Sequence, residues 1–395
     1  MKVEQIKNIV ENVYTQVVGT VEQETLDTMT IVDMGKSILD STDIDNYVKT
    51  LTDVIGKTIF NDRKYTGNAP SVLMDAWEFG SVLRKIDVEL DNSSLSENDS
   101  YKLSQGGTIS QDKVYLPTAT AKLFNKKVTF EVDVTITERQ AKSCFNSMNE
   151  LNAFVSMIYN AVDKAMTVYI DNLVMATINN MTAQVLQNSF DDVTDGNYSA
   201  KTGIKAVNLL KEFNDKFRST DTALTVDKAL TDLDFLKFAT MSINKYIDRL
   251  TKISTLFNVG GKSRFTPKDD LNLIMLSDFK SSCASYLQAD TYHKELVSLP
   301  NSDTVAYWQG SGTNYDFNTV SKINVNIDVN GTKKNVQCSG ILAVMFDKMA
   351  LGVCNEDRRV TTHYNAKGEF FNNFYKFDCS YFNDLNENFV LFFIQ

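Results

Sequence analysis

Histidine is almost missing. The 395-residue chain has two, His293 and His363, far apart and each set among polar neighbours. Imidazole serves most acid–base and nucleophilic catalysts and most transition-metal sites, so those chemistries start without their usual group. Carboxylates can catalyse alone, so the scarcity weakens an enzymatic reading without removing it. Cysteine offers little more: Cys144, Cys283, Cys338, Cys354 and Cys379 show no C-x-x-C spacing and read as free thiols in a reducing compartment. No apolar run approaches the ~18 residues of a membrane span. The longest, Ile341–Phe346 and Phe389–Ile394, are strand-sized. The opening MKVEQIKNIVENV puts Glu4 and Asn8 where a signal peptide needs an apolar stretch. A soluble chain made in the cytosol is therefore expected. A basic excess is also lacking: 40 Lys+Arg against 50 Asp+Glu give −10, which disfavours bulk nucleic-acid binding. What remains is an ordinary globular complement, 43% hydrophobic, enough for a sizeable core and long enough for two or three domains.

The periodicity changes along the chain. The first sixty residues carry ten acids against five lysines. Thr42 and Asp45 resemble a capping box, and Ile44, Val48, Leu51 and Ile55 follow at helical spacing. These weakly apolar helices read as an arm that packs on something else, such as another subunit. Then Ile86, Val88 and Leu90 alternate with Lys85, Asp87, Glu89 and Asp91. Val128, Phe130, Val132, Val134 and Ile136 alternate with Thr129, Glu131, Asp133 and Thr135. Period two predicts half-buried strands, here paired as a long ribbon with the polar stretch Asp91–Gly107 at its tip. A two-stranded ribbon is marginal alone, so it should rest on a neighbouring surface.

Ser147 and Glu150 form a second capping box. Leu151, Phe154, Val155, Ile158, Val162, Ala165, Tyr169, Leu173 and Ala176 then recur at three or four residues, which predicts a long spine helix from Met148 to about Asn180. Residues 185–200 read as a polar linker. Helices are expected at Ile204–Phe217, Leu230–Ile243, Asn244–Phe257 and Ser277–Gln288, with a buried strand at Leu271–Leu276. A hairpin follows, Ile323–Val329 and Thr332–Cys338 about Asn330-Gly331, the preferred type I′ signal. Strands at Ile341–Phe346, Ala350–Cys354, Phe370–Phe382 and Asn388–Ile394 close an α+β chain.

Motifs that carry chemistry do not survive inspection. Gly260–Ser263 (GGKS) ends like a phosphate-binding loop, but Leu256 stands where that loop needs Gly, and helix precedes it instead of strand. Asn326, Asp328, Asn330 and Gly331 mimic an EF-hand start, yet Gln337 replaces the closing Glu and the same residues fit the hairpin. Gly310–Gly312 lacks any nucleophile or dinucleotide frame. Pairs such as Asp191-Asp192 and Glu356-Asp357 occur in any acidic chain. The charge clusters Lys126-Lys127 and Glu356-Asp357-Arg358-Arg359 read either as solvated faces or as inter-subunit ion pairs. The aromatics of Phe370–Phe382 lack the interleaved Arg of a base-stacking platform.

In the order acidic arm, ribbon, capped spine helix, mixed domain and returning strands, the chain resembles the tailed-phage major capsid proteins of the Hong Kong 97 fold. It looks most similar to those of small short-tailed phages of the phi-twenty-nine type. Leu51–Leu90 (LTDVIGKTIFNDRKYTGNAP…SVLRKIDVEL), Asn149–Val174 (NELNAFVSMIYNAVDKAMTVYIDNLV) and Ile341–Phe393, with Asp347-Lys348 at a turn, carry the likeness. The resemblance implies an α+β Hong Kong 97-like capsid fold. Its parts would be an N-terminal arm (1–62), an extended loop and its base (63–140), a peripheral domain with the spine helix (141–198), an axial domain (199–340) and returning peripheral strands (341–395). It implies pentamers and hexamers of the chain in an icosahedral or prolate virion shell, assembled in the host cytoplasm around packaged double-stranded DNA without sequence-specific binding. A separate scaffolding protein and a portal are the expected partners, with no membrane. The net −10 suits a shell that encloses DNA without gripping it. No catalytic, cofactor or metal site is expected. Assembly contacts are expected at Ile86, Val88, Leu90, Val128, Phe130, Val132, Val134, Lys126, Lys127, Glu356, Asp357, Arg358 and Arg359. The alternatives are a same-fold cellular nanocompartment of the encapsulin kind or another self-assembling structural protein, and, in a different class, a carboxylate enzyme.

Overall fold

The computed structural model describes residues 73–74, 83–88, 105, 107, 119–137, 148–288, 302–310, 322–329 and 331–395. In chain order the strands and longer helices begin with β1 (Leu73–Met74), β2 (Leu83–Val88), β3 (Ala119–Phe124), β4 (Lys127–Thr137) and α1 (Met148–Ser189). Next come β5 (Ala206–Asn208), α2 (Leu209–Phe217), α3 (Leu233–Leu250), β6 (Leu271–Leu276) and α4 (Ser277–Gln288). The remainder is strand: β7 (Asp303–Val305), β8 (Gln309–Gly310), β9 (Lys322–Val329), β10 (Thr332–Ser339), β11 (Ile341–Asp347), β12 (Leu351–Asn365), β13 (Phe370–Asn383) and β14 (Phe389–Phe393). The expected acidic arm, the 91–107 tip apart from residues 105 and 107, Leu90 and His293 lie outside the described residues.

Two compact units divide the chain. The first gathers Met1–Pro70, Lys127–Leu173 and Cys354–Ser380. Its described part is a sheet in which β4 runs antiparallel to β13, in register from Phe370↔Thr137 to Ser380↔Lys127. Alternation sorts the faces. Phe371, Tyr375, Phe377 and Cys379 are buried on one side, while Thr129, Glu131, Asp133 and Thr135 of β4 stay exposed. Tyr169 of α1 stacks on Phe130 at 5.1 Å between ring centroids, and Phe377 closes the trio at 5.9 and 6.2 Å. The polar side is cross-linked: Thr129 Oγ1 donates to Asp378 at 2.6 Å, Arg359 Nη1 meets Asp378 at 2.5 Å, and Lys376 pairs with Glu131 at 3.3 Å.

The second unit gathers Ser71–Lys126, Val174–Val353 and Tyr381–Gln395. A five-stranded sheet in the order β5-β14-β11-β6-β7 forms its centre. Every residue of β11 and β14 is buried. Helices α2, α3 and α4 cover it by helical stripes. Leu209, Leu210 and Phe213 are buried on α2. Phe235, Leu236, Ala239, Ile243, Tyr246 and Leu250 are buried on α3. Tyr246 sets its ring edge-on to Phe392 of the central strand at 5.2 Å. A smaller sheet, β10-β9-β8, carries the hairpin; Val329↔Thr332 closes a two-residue loop in which Gly331 has φ +81°.

The structure corrects several sequence expectations. The ribbon does not pair 86–90 with 128–136: β2 pairs antiparallel with β3, and β4 takes β13 instead. The spine helix runs to Ser189, 42 residues and roughly 63 Å. Met181, Val185 and Leu186 carry its apolar stripe into the supposed linker, with no exposed surface. The helix expected from Ile204 starts at Leu209. Before it, Ala206–Asn208 is a buried strand parallel to β14, and Asn208 caps the helix by accepting from Lys211 N. The helices expected on either side of Asn244 are one, capped by Asp232 and ending at Leu250. The segments 199–340 and 341–395, separated in the sequence reading, share a sheet in which β11 lies between β14 and β6.

Candidate functional site

The most concentrated chemistry among the described residues lies beneath the β2–β3 hairpin, within the second unit. Register places Lys85 directly opposite Lys122. Like charges across a strand pair repel, so this arrangement needs anions on the same face. The turn after β13 supplies them. Asp384, whose side chain has no exposure, bridges both lysines: Lys85 Nζ at 2.8 Å and Lys122 Nζ at 2.6 Å, one to each carboxylate oxygen. Lys85 also reaches Glu387 at 2.5 Å. Arg264 completes the group from the loop after α3, meeting Asp87 at 2.8 Å and Glu387 at 3.3 Å. Three cations and three carboxylates thus balance.

Local backbone explains why the anions converge. Ala350 O accepts from Asp384 N at 2.7 Å, and Asp384 Oδ1 accepts from Asn386 N at 3.1 Å, which folds 384–387 into a turn. Arg264 is fixed by a two-way bridge with Ser254, at 2.9 and 3.0 Å. Burial raises the pKa of Asp384, but hydrogen bonds from Lys122, Lys85 and Asn386 N outweigh it and hold the carboxyl below its ordinary range. Burial likewise disfavours charge on Lys85, yet Asp384 and Glu387 hold its pKa above the usual value. Asp87, Asp384 and Glu387 offer carboxylate oxygens within 4.8 Å of one another, the spacing of a cation site. Lysine and arginine already neutralise all three, so nothing in this donor set calls for a metal.

The hairpin is turned opposite to its sequence pattern. Lys85 and Asp87 look solvent-facing in the alternation, yet the Lys85 side chain is 11% exposed while Ile86 is 59% and Leu123 65% exposed. Arg84 and Ala121 join them on the outer face. The inner face carries the ion cluster, and the outer face carries Ile86, Ala121 and Leu123 beside Arg84. Alternation alone could not say which set faces in, because the carboxylates that pull the lysines inward lie some 300 positions away.

The residues expected as assembly contacts separate into two groups. Ile86 and Val88 belong to the hairpin of the second unit; the Val88 side chain and Leu90 lie outside what is described. Val128, Phe130, Val132 and Val134 line the half-buried face of β4 in the first unit, with Phe130 against Tyr169 of the same chain. Lys126 is exposed after β3. Lys127 pairs with Glu356, which also accepts from Ser380 Oγ, and Arg359 pairs with Asp378; these are pairs within one chain. Asp357 and Arg358 lie in β12, their side chains outside the described set. Lys85, Asp87, Lys122, Arg264, Asp384 and Glu387 were not singled out by sequence.

The other motifs resolve into structural roles. Around GGKS several amides are spent internally: Val259 N and Gly260 N donate to Leu385 O, and Lys262 N donates to Asn258 Oδ1. The segment is a loop, not a helix end. The EF-hand mimic is the β9–β10 hairpin, where Gly331 N donates to Asp328 at 2.8 Å and Asn335 joins Asn324 and Asn326. Asp347-Lys348 does occupy a turn, between β11 and β12, with the Asp347 carboxylate accepting from Thr266 Oγ1 and Met349 N at 2.8 Å each. Among the described residues no helix is long and apolar enough to cross a membrane.

Several capsid structures align over most of the chain at low identity. The capsid of Staphylococcus phage Andhra aligns at 10% identity over 85% of this chain and 87% of that one, with a TM-score of 0.47. The capsid of Cyanophage P-SCSP1u aligns at 10% identity over 85% and 93%, TM-score 0.44. The procapsid of satellite phage P4, which includes the size determination (Sid) protein, aligns at 13% over 88% and 98%, TM-score 0.34. No curated protein sequence matches. The decisive comparison is with the family of Phi29-like phage major capsid proteins, whose pattern accounts for residues 3–393. A chain matched almost end to end in this way belongs to that family, and is a structural subunit of a phage head shell.

Proposed function

We propose that this chain builds its shell in the Hong Kong 97 manner. In this reading the first unit, which holds the spine helix as far as Leu173, is the peripheral domain, the α2–α4 unit is the axial domain, and the β2–β3 hairpin is the base of the extended loop. Copies close as pentamers and hexamers into an icosahedral or prolate head around double-stranded DNA, assembled in the host cytoplasm on a separate scaffolding protein and joined to a portal. The role is structural, with no catalytic step.

One observation supports this above the others: a two-stranded hairpin latched by its charged face to its own unit, with Ile86 and Leu123 turned outward. Apolar surface on a strand pair this thin is buried in an assembly or it is a liability. A neighbouring copy is the covering surface in a shell, where many small contacts repeated by symmetry hold the particle closed. Deleting Ser93–Gly107, from the segment that joins β2 to β3 in the sequence, should leave a folded subunit that fails to form shells; normal shells from the deletion would refute the docking role.

A further inference from the structure

We propose that the six-residue ion cluster is a positioning device: it fixes the direction in which the β2–β3 hairpin leaves its unit, and so governs assembly instead of folding. This deepens the shell reading and rests on it.

Three features of the geometry carry the inference. Asp384 holds one lysine from each strand, Lys85 of β2 and Lys122 of β3, on its two oxygens. Two hydrogen bonds accepted by one buried carboxylate, from lysines on opposite strands, oppose pivoting of the hairpin about either strand. The anchor itself is rigid. Leu385 O accepts two amides from residues 259 and 260, Asn388 O accepts from Asp347 N, and Phe257 O accepts from Phe389 N. Gly260 packs so closely on this turn that a Cβ there would lie 2.0 Å from Asn386 Oδ1. Finally, the seam is ionic where an apolar one would hold as well. Among the described contacts, Phe124 meets Phe382 at 5.3 Å and Lys85 Nζ donates to Met349 O at 3.5 Å; the ion pairs are those of Lys85, Lys122 and Arg264 with Asp87, Asp384 and Glu387. Buried ion pairs are poor sources of net stability compared with packed apolar groups, but they are directional. A seam built from them defines an angle that a greasy seam leaves free to slide.

The test compares the intact wild-type chain with Lys85→Met/Asp384→Asn and with Lys85→Arg. Each is coexpressed with the scaffolding protein of the same phage, and each is also followed alone by hydrogen exchange. Asn at 384 can still accept from Asn386 N, so the turn is retained. In the double variant, amides of 83–88 and 119–124 should exchange at least tenfold faster. Those of 341–347 and 389–393 should stay within threefold of wild type, and closed shells should give way to aberrant particles. Lys85→Arg should keep closed shells. Loosened hairpin amides with normal shells would overturn the positioning role while leaving the shell reading standing. Unchanged hairpin amides would overturn the latch. If wild type itself forms no shells with scaffolding present, the shell reading fails first. Should the double variant lose protection in the central sheet, Lys122→Met, at a one-third-exposed side chain, carries the same comparison, and shells of normal form from it with loosened hairpin amides overturn the proposal.

Discussion

Asp384 and Lys85 bear on how hairpin docking answers to pH. The Asp384 carboxyl is held below its ordinary range, so its contribution is complete above the unfolded value near ~3.9 and is lost as pH falls through the folded value. Lys85 is raised, so its contribution is complete below about 10.4 and is lost as pH rises through the folded value. Hairpin docking should therefore be flat across neutral pH, with an acid limb below about 4. Hydrogen exchange of 83–88 against pH should show that limb, and Asp384→Asn should loosen the hairpin at neutral pH and flatten it; an unchanged limb would assign the acid response elsewhere. Two glycines give a second test. Gly331 (φ +81°) has open space where a Cβ would go, so Gly331→Ala should cost roughly 1 kcal/mol from backbone strain alone. At Gly340 (φ +69°) a Cβ would meet Ile394 O at 2.1 Å, so Gly340→Ala should cost at least about twice as much. Urea midpoints of the two variants decide it; equal costs would mean that the β10–β11 junction relaxes freely.

Elements with their own signal were legible. The alternating runs and the apolar runs at Leu271–Leu276, Ile341–Phe346 and Phe389–Ile394 fall on strands, the last of which ends at Phe393, and Gly331 lies in the turn between β9 and β10, because each pattern is local. Partner choice is not local. Val128–Ile136 reads equally well opposite any alternating strand, and only the fold selects Phe370–Ser380, over 230 positions on. The three buried residues of β5 carry too little pattern to stand apart from the helix they introduce. The hairpin is the sharpest case: its alternation was visible, but which side turned inward depended on Asp384 and Glu387. Replacing Ile86 and Leu123 by Ser should therefore leave stability within about 0.5 kcal/mol, as surface changes do, yet reduce shell yield. A drop in the urea midpoint would show that these side chains pack within their own chain. Phe377→Ala, by contrast, removes a buried ring from the Phe130–Tyr169 trio and should cost roughly 3 kcal/mol or more.

At the scale of the whole molecule, the chain divides its surface between closure and contact. Its central strands are buried, its carboxylates under the hairpin are neutralised in place, and Ile86 and Leu123 stay exposed on the outer hairpin face. Family membership supplies the reason, since a head-shell subunit meets many copies of itself. Two histidines and a net charge of −10 accord with a structural subunit of a head shell. The most direct measurement is negative-stain electron microscopy of the intact chain, expressed alone and again with the scaffolding protein proposed for it. Closed shells, tubes or rings of capsomers are the predicted result. A clean monomer under both conditions, unchanged by crowding or salt, would contradict it.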